Sequence, residues 1–366
     1  MAKKIFIAAV DKNAGKTTTS IALMSLALKK YDRVGYIKPF GGQTVNYKGR
    51  VVDKDVALMA QVFGLNRDLK YMSPVVLSSD FTHKVVDGLI SPQDLQERIV
   101  HACSELEKKC DFILIEGSGH PGVGSVMQIS NARIAHLLKA PVLMVTGGGL
   151  GNVVDRLSMT QLLFEKERVD VRAILVNMLV PEKRERSLDY LSRALKNETF
   201  KVIGGFDYQP VLANPTLRRI SAVLDLPLHG NRRELQRIIY KVQVGAASTQ
   251  RVAELIQDPS LIILTSSRDE LIVTLSQLYK MPHYRALIVG LVISGATAIS
   301  TMSQEILDKS KIPYIRAEKM ITAELYHTIN KDVSKIVAED REKLDLIESL
   351  AKKRFDFDVI DGLMST

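Results

Sequence analysis

The chain has 366 residues, 46% hydrophobic and 25% charged, which excludes disordered and collagen-like proteins and allows two domains. Its 50 Lys and Arg residues exceed 41 Asp and Glu residues, for a net charge of +9, but the two signs are interleaved and Trp is absent, so we expect no nucleic-acid partner. No apolar run approaches the roughly 20 residues of a membrane-spanning helix, and two cysteines exclude a disulfide scaffold, so we expect a cytoplasmic protein without a membrane partner.

Over the first 215 residues, short apolar runs alternate with longer amphipathic ones. The first residues run directly into a strand-like stretch, which is not the pattern of a signal peptide. Strands are predicted at 4–10, 34–38, 112–116, 142–146, 172–176 and 202–206, and helices at 15–30, 55–63, 93–109, 153–166 and 182–196. Because the strands are rich in Ile, Val and Leu on both faces, the pattern predicts an α/β fold whose parallel sheet is covered by helices on both sides.

A second and smaller alternating region follows prolines at 210 and 215. Helices are predicted at 217–224, 232–240 and 339–353, and strands at 261–265, 286–294 and 312–316. We therefore place a domain boundary near residue 215, with one domain at 1–215 and a smaller α/β domain at 216–366.

A phosphate-binding loop is predicted between the first strand and the first helix. Its residues are Asn13, Ala14, Gly15, Lys16, Thr17 and Thr18. Gly15 allows backbone N–H groups to approach phosphate, and the helix N-terminus adds its positive dipole end. Lys16 would neutralise phosphate and the Thr17 hydroxyl would ligate Mg²⁺. The usual first glycine of the motif is absent, since Val10 holds that position.

Two carboxylates are candidate metal ligands. Glu116 ends the buried strand predicted at 112–116, and Asp55 begins a helix in Asp53-Lys54-Asp55. A carboxylate at the carboxyl end of a central parallel strand lies beside a P-loop, because ligands bind at that edge of the sheet. Each acid alone could be a surface group or a helix cap; with the P-loop, they form a plausible metal site.

These motifs carry a family resemblance. Residues 1–215 resemble the dethiobiotin synthetase-like P-loop proteins, and most closely the N-terminal domain of long bacterial phosphotransacetylases. The matching segments are the P-loop at 9–17, Tyr36-Ile37-Lys38-Pro39-Phe40, Asp55-Val56-Ala57-Leu58, Ile115-Glu116-Gly117-Ser118-Gly119, Gly147-Gly148-Gly149-Leu150-Gly151 and Leu175-Val176-Asn177. The resemblance implies a P-loop NTPase-type sheet that binds ATP.

The resemblance also implies roles for individual residues. Thr17, Asp55 and Glu116 would surround Mg²⁺, and Asn177 would lie near the purine. Lys16 would act with Lys38, which is similar to the lysine that faces substrate and γ-phosphate.

The chain departs from dethiobiotin synthetases on the substrate side. Their Ser-Pro-His element is replaced by 80–84, where His83 could carry a proton or be a plain surface residue, and Gly149 stands where they place a lysine. A second relative by resemblance is cobyrinic acid a,c-diamide synthase, but no glutaminase half is recognisable, and Cys103 and Cys110 are most simply core thiols.

Residues from about 216 onward resemble the DRTGG domain of long phosphotransacetylases. The matching segments are 244–247, 264–269, 292–296 and 312–313. Their strand-end loops suit an anion, a subunit contact or simple tight turns, with Arg268 near the contact and Asp269 as an early helix charge. We expect residues 216–366 to fold alone and self-associate, and no acetyltransferase domain to follow.

Three functions are compatible with these observations. The first is an ATP- and Mg²⁺-binding regulatory or sensor protein, homo-oligomeric, with slow ATP hydrolysis and a protein partner at the DRTGG-like domain. The second is an ATP-dependent carboxylase, ligase or amidotransferase acting on a small carboxylate. The third is a structural module that has lost nucleotide binding. The intact P-loop and acids argue against the third, and the missing substrate-side elements favour the first.

Overall fold

The computed structural model describes residues 2–331 and 336–364, apart from the Arg232 side chain. The chain divides into two compact units. The first unit comprises Met1–Gln209 and Arg341–Thr366, and the second comprises Pro210–Asp340.

The first unit is built on a parallel sheet. The strands of this unit, which include four outside the main sheet, are β1 (Lys3–Ala9), β2 (Val34–Ile37), β3 (Phe40–Gly41), β4 (Thr44–Tyr47), β5 (Arg50–Asp53), β6 (Val75–Val76), β7 (Phe112–Glu116), β8 (Val142–Gly147), β9 (Val171–Asn177) and β10 (Lys201–Gly204). Its helices up to residue 209 are α1 (Lys16–Lys30), α2 (Lys54–Val62), α3 (Leu69–Met72), α4 (Phe81–Val86), α5 (Pro92–Glu107), α6 (Asn131–Leu137), α7 (Leu150–Lys166) and α8 (Arg184–Ala194). The main sheet has the order β10-β9-β8-β1-β7-β2, and every neighbouring pair in it is parallel.

The centre of this sheet positions the candidate site. Strand β1 lies between β7 and β8, and consecutive β1 residues such as Ile5, Phe6 and Ile7 are fully buried. A strand buried on both faces is the signature of a parallel sheet covered by helices. The predicted α/β fold class is therefore confirmed, and the carboxyl ends of β1, β7 and β8 meet at one edge.

The second unit has its own smaller sheet. Its elements are α9 (Pro210–Ala213), α10 (Leu217–Leu224), β11 (Leu228–His229), β12 (Lys241–Val244), α11 (Thr249–Glu254), β13 (Ser260–Thr265), α12 (Asp269–Leu278), α13 (Pro282–Leu287), β14 (Ile288–Ser294), α14 (Thr301–Ser310), β15 (Tyr314–Ala317) and α15 (Thr322–Lys331). The strand order is β11-β15-β14-β13-β12, with β12 to β15 parallel.

One predicted helix of this unit is wrong. In place of a helix at 232–240, the structure has a 3-10 turn at Arg232–Glu234 followed by extended chain. The Arg237 guanidinium donates hydrogen bonds to the carbonyls of Arg285, Ala286 and Ile288. These tertiary hydrogen bonds, together with one from the Ile239 N–H to the Pro215 carbonyl, outweigh local helix propensity.

The C-terminal segment packs on the first unit, which differs from the predicted division at residue 215. It contains α16 (Arg341–Arg354) and α17 (Phe357–Leu363), and α16 packs against α1. The Phe355 ring centroid lies 4.7 Å from that of Phe206, and the Phe357 centroid lies 6.0 Å from that of Phe112. This apolar contact is the physical reason why residues 341–364 belong with the first unit rather than the second.

The buried carboxylate of Asp361 also holds the C-terminal segment against the rest of the first unit. Asp361 accepts a hydrogen bond from the Tyr31 hydroxyl at 2.8 Å and forms ion pairs with Lys3 at 2.8 Å and Lys30 at 3.0 Å. Burial alone would raise the pKa of Asp361, but these three partners outweigh it and hold the pKa below its ordinary value of 3.8.

We expect Asp361→Asn to lower the free energy of unfolding by about 1–2 kcal/mol at neutral pH, because charge-assisted hydrogen bonds are lost. A carboxyl group with a lowered folded pKa stabilises the fold above its unfolded pKa, and that contribution is lost as the pH falls through the folded pKa. Urea unfolding should therefore show the difference between parent and variant shrinking below about pH 4. The control is Asp358→Asn in the same helix, whose side chain is 84% exposed; an equal loss in both variants would contradict a specific role for Asp361.

Within the described residues, no helix is both long and apolar enough to cross a membrane.

Candidate functional site

The P-loop connects β1 to α1 at the central edge of the main sheet. Gly15 has a φ of 89°, and a Cβ there would come within 2.9 Å of the Asn177 amide nitrogen. A glycine is therefore needed both for the left-handed backbone and for space. Lys16 and Ala14 are buried, Asn13 is exposed, and Thr17 and Thr18 are half-buried.

Lys16 and Thr17 both reach the end of β7. The Lys16 Nζ donates a hydrogen bond to the Gly119 carbonyl at 2.5 Å, and the Thr17 hydroxyl lies 3.0 Å from Glu116 Oε1. Glu116 itself is 1% exposed. The structure thus brings together the P-loop and the predicted carboxylate of the neighbouring strand.

A buried lysine lies among acids beside this loop. Lys38 is ion-paired with Asp55 and lies 3.1 Å from an Asp53 carboxylate oxygen. Burial opposes the charge of Lys38, but the fields of Asp55, Glu116 and Asp53 outweigh it and raise its pKa. The ammonium group is therefore held charged in this cluster.

Neighbouring charges and burial both act on the pKa of Glu116. Burial is the largest cause that raises the pKa of Glu116, and the nearby Asp55 charge raises it further, while Lys38 opposes both. Asp53 caps α2, since its carboxylate accepts the Asp55 N–H at 2.9 Å.

Tyr36 completes the cluster and was not predicted as a site residue. Its hydroxyl donates to Glu116 Oε2 at 3.1 Å, and burial raises its pKa well above the ordinary value. The available signal was the strand period of two, because Tyr36 and Lys38 are two residues apart and side chains two residues apart in a strand lie on the same face.

Asn177 ties the end of β9 to the P-loop. Its amide nitrogen donates to the Ala14 carbonyl at 3.1 Å and to the Thr19 hydroxyl at 3.0 Å, and its amide oxygen accepts the Phe206 N–H at 3.0 Å. Asn177 is 2% exposed, and these hydrogen bonds hold the P-loop in its conformation. The predicted place of Asn177 near a purine stays a prediction.

The structure also places the other singled-out residues. His83 lies in α4 with its side chain exposed, and Gly149 precedes α7. Cys103 and Cys110 are buried free thiols, as expected, and burial raises their pKa to about 12 and about 11.

Arg268 makes hydrogen bonds to a loop within the second unit. Its guanidinium donates hydrogen bonds to the carbonyls of Gly245 and Ala247, both at 3.0 Å. It also pairs with Glu270. The predicted contact of Arg268 with another subunit stays a prediction.

One protein family model and several curated proteins are similar to this chain. The family model AAA_26, described as an AAA domain, matches residues 3–216. The phosphate acetyltransferase of Synechocystis sp. is 23% identical over 307 residues, covering 81% of this chain and 42% of that enzyme. The phosphate acetyltransferase of Nitratidesulfovibrio vulgaris is 21% identical over 364 residues, covering 97% and 51%.

A dethiobiotin synthetase matches about half of the chain. The ATP-dependent dethiobiotin synthetase of Thermodesulfovibrio yellowstonii is 27% identical over 192 residues, covering 49% of this chain and 78% of that enzyme. The predicted similarity to phosphate acetyltransferases (phosphotransacetylases) and dethiobiotin synthetases is thus confirmed, whereas the DRTGG resemblance stays a prediction. The chain spans about half the length of the phosphate acetyltransferases it matches.

Proposed function

The chain belongs to the AAA_26 family of AAA domains, and from that premise we propose that it binds ATP with Mg²⁺ at the P-loop and acts as a regulatory or sensor protein. The observation that carries the proposal is the 3.0 Å contact between the Thr17 hydroxyl and the buried Glu116 carboxylate, next to Lys16. A P-loop needs this set of a cation, a hydroxyl and an acid to hold a metal-bound triphosphate.

The donor set fits Mg²⁺. This ion takes oxygen ligands and is usually held by one or two carboxylates together with phosphate and water. Thr17 and Glu116 supply a hydroxyl and a carboxylate side by side. Among residues 2–331 and 336–364, no group of three or more His, Cys, Asp or Glu side chains converges on a metal position. Phosphate oxygens and water would complete the coordination, as is usual for this ion.

Asp55 has two possible partners in this proposal. Its carboxylate pairs with Lys38, so its use as a metal ligand requires that it share its charge between Lys38 and Mg²⁺. Bound Mg²⁺ would supply charge neutralisation of the phosphates. Lys16 and Lys38 would add two further positive charges on the protein side, and slow ATP hydrolysis is part of the same proposal.

The regulatory role is preferred over a ligase role. Gly149, at the start of α7, offers no side chain where a dethiobiotin synthetase would have its substrate-side lysine. The names of the dethiobiotin synthetase relatives state that they depend on ATP. The whole activity of the phosphate acetyltransferases is not assigned to a chain that spans about half their length. Homo-oligomerisation and a protein partner at the second unit are part of the same proposal.

We expect Glu116→Gln and Asp55→Asn each to weaken ATP binding with Mg²⁺ more than binding without metal, because an amide brings no charge to a hard cation. The loss for Glu116→Gln should be about tenfold or more in the Mg²⁺-dependent Kd, a change of about 1.4 kcal/mol. Isothermal titration over a Mg²⁺ series measures it.

The matched control is Asp111→Asn. Asp111 lies just before β7, at the strand's opposite end from Glu116, and pairs with Arg33. Its substitution should leave the Mg²⁺ dependence unchanged. If both site variants retain the parent's Mg²⁺ dependence, the two acids are structural and the metal assignment is wrong.

A further inference from the structure

The second unit contains a cavity at the carboxyl edge of its sheet. Strands β12 and β13 run parallel and end side by side, with Val244 paired to Ile263, and α15 packs against both. A cavity of about 500 Å³ lies between these strand ends and the first turns of α15. Small-molecule sites typically measure about 300–1,000 Å³ and lie at this edge of open α/β sheets.

Several apolar side chains that line the cavity are exposed to solvent. Val244 is 42% exposed and Tyr326 is 43% exposed, and both line the cavity. Ala246 and Ala323 line it with the smallest apolar side chains and are themselves exposed, so the entrance is open. A ligand that enters would cover an aromatic ring and an aliphatic side chain, which favours an aromatic or apolar body.

The lining of this cavity includes a positively charged residue, Arg268. Arg268 lines the cavity and fixes the loop at its mouth through the Gly245 and Ala247 carbonyls. Thr265 and Thr322 also line it, and none of the described lining residues is acidic. Glu270, the partner of Arg268, is not one of these lining residues, and its side chain is 56% exposed.

We propose that this cavity is a binding site for a small aromatic molecule that carries an anionic or hydrogen-bond-accepting group. The aromatic body packs on Tyr326 and Val244, and the acceptor group lies on the side of the cavity that Arg268 and the two threonines line. The site belongs to the second unit alone, so it is independent of the proposed nucleotide function.

The test uses the full chain and 8-anilinonaphthalene-1-sulfonate, an aromatic anion whose fluorescence rises on binding. Saturable binding at one site per chain is expected in the parent protein. Ala246→Trp and Ala323→Trp should each weaken it by about tenfold or more, because an indole fills the cavity from an exposed position. Ala247→Trp is the matched control, since Ala247 is the exposed neighbour that does not line the cavity.

Each outcome decides the proposal. Loss of binding in both cavity variants, with binding retained in Ala247→Trp and Lys16→Ala, supports it. Absence of saturable binding in the parent overturns it, as does equal affinity in the parent and both cavity variants. Loss in Lys16→Ala with retention in the cavity variants also overturns it, because the dye would then occupy the P-loop. Circular dichroism shows whether each variant is folded, and agreement between the two cavity variants, one after β12 and one in α15, excludes a local defect of either.

Discussion

Replacing Lys16 with alanine is expected to weaken ATP binding by about a hundredfold, or roughly 3 kcal/mol, while the fold stays intact. Lys16 is 7% exposed and its ammonium group already contacts the loop after β7 at Gly119. A triphosphate in a partly dehydrated site needs this charge, because Coulomb interactions are stronger there than in water. Isothermal titration of the variant with ATP and Mg²⁺ measures the loss.

The control for this experiment is Lys29→Ala. Lys29 lies near the other end of the same helix and forms an exposed ion pair with Glu348 at 3.5 Å. Such surface pairs contribute little, so its substitution should leave the ATP affinity unchanged. Equal affinity of parent and Lys16→Ala would remove the P-loop assignment.

Replacing Lys38 with methionine is expected to lower the free energy of unfolding by about 3–5 kcal/mol. The change keeps most of the length of the side chain but removes the ammonium group that Asp53 and Asp55 surround, next to Glu116. Breaking a buried ion pair from one side leaves charges without compensation in a poorly solvated place. Urea unfolding at neutral pH gives the value.

Two further variants test whether the lost stability of Lys38→Met comes from the uncompensated carboxylates. Lys38→Met combined with Asp55→Asn removes one of the uncompensated carboxylates and should recover part of the lost stability. Lys54→Met changes an exposed lysine between Asp53 and Asp55 and should alter stability by no more than about 0.5 kcal/mol. A Lys38→Met protein as stable as the parent would show that the cluster does not depend on this cation.

The elements that build the P-loop could be predicted because their signals are local. The helix after the P-loop is predicted at 15–30 and observed at Lys16–Lys30, and the neighbouring strand is predicted and observed at 112–116. A strand buried on both faces is continuously apolar, and a βα turn with Gly15 and Lys16 leaves one place for a phosphate at the edge of the sheet.

The C-terminal helix could be recognised, but its partner could not. Amphipathic periodicity shows that a helix has an apolar face and says nothing about which surface covers it. Residues 341–364 therefore seemed to continue the second domain, whereas rings of Phe355 and Phe357 reach the first unit. The hairpin of β4 and β5 was missed for a related reason: it is mostly exposed, and its turn at Lys48 and Gly49 depends on positive φ angles of 49° and 75°.

The candidate site shows the same limit at the level of side chains. Resemblance implied that Asp55 and Glu116 both face the metal, and it named Lys38 separately. The structure pairs Asp55 with Lys38 and leaves Glu116 beside Thr17. Which partner a buried carboxylate takes depends on distances across three strands and a loop, and no spacing along the chain encodes those distances.

The most direct test of the central claim is an isothermal titration of the unmodified full chain with ATP, ADP and GTP, with and without Mg²⁺. The account predicts saturable binding of ATP at one site per chain, with an affinity that rises when Mg²⁺ is present, since Thr17 and Glu116 offer oxygen ligands beside the P-loop. An absence of ATP binding under both conditions, or an ATP affinity that Mg²⁺ does not change, would contradict it.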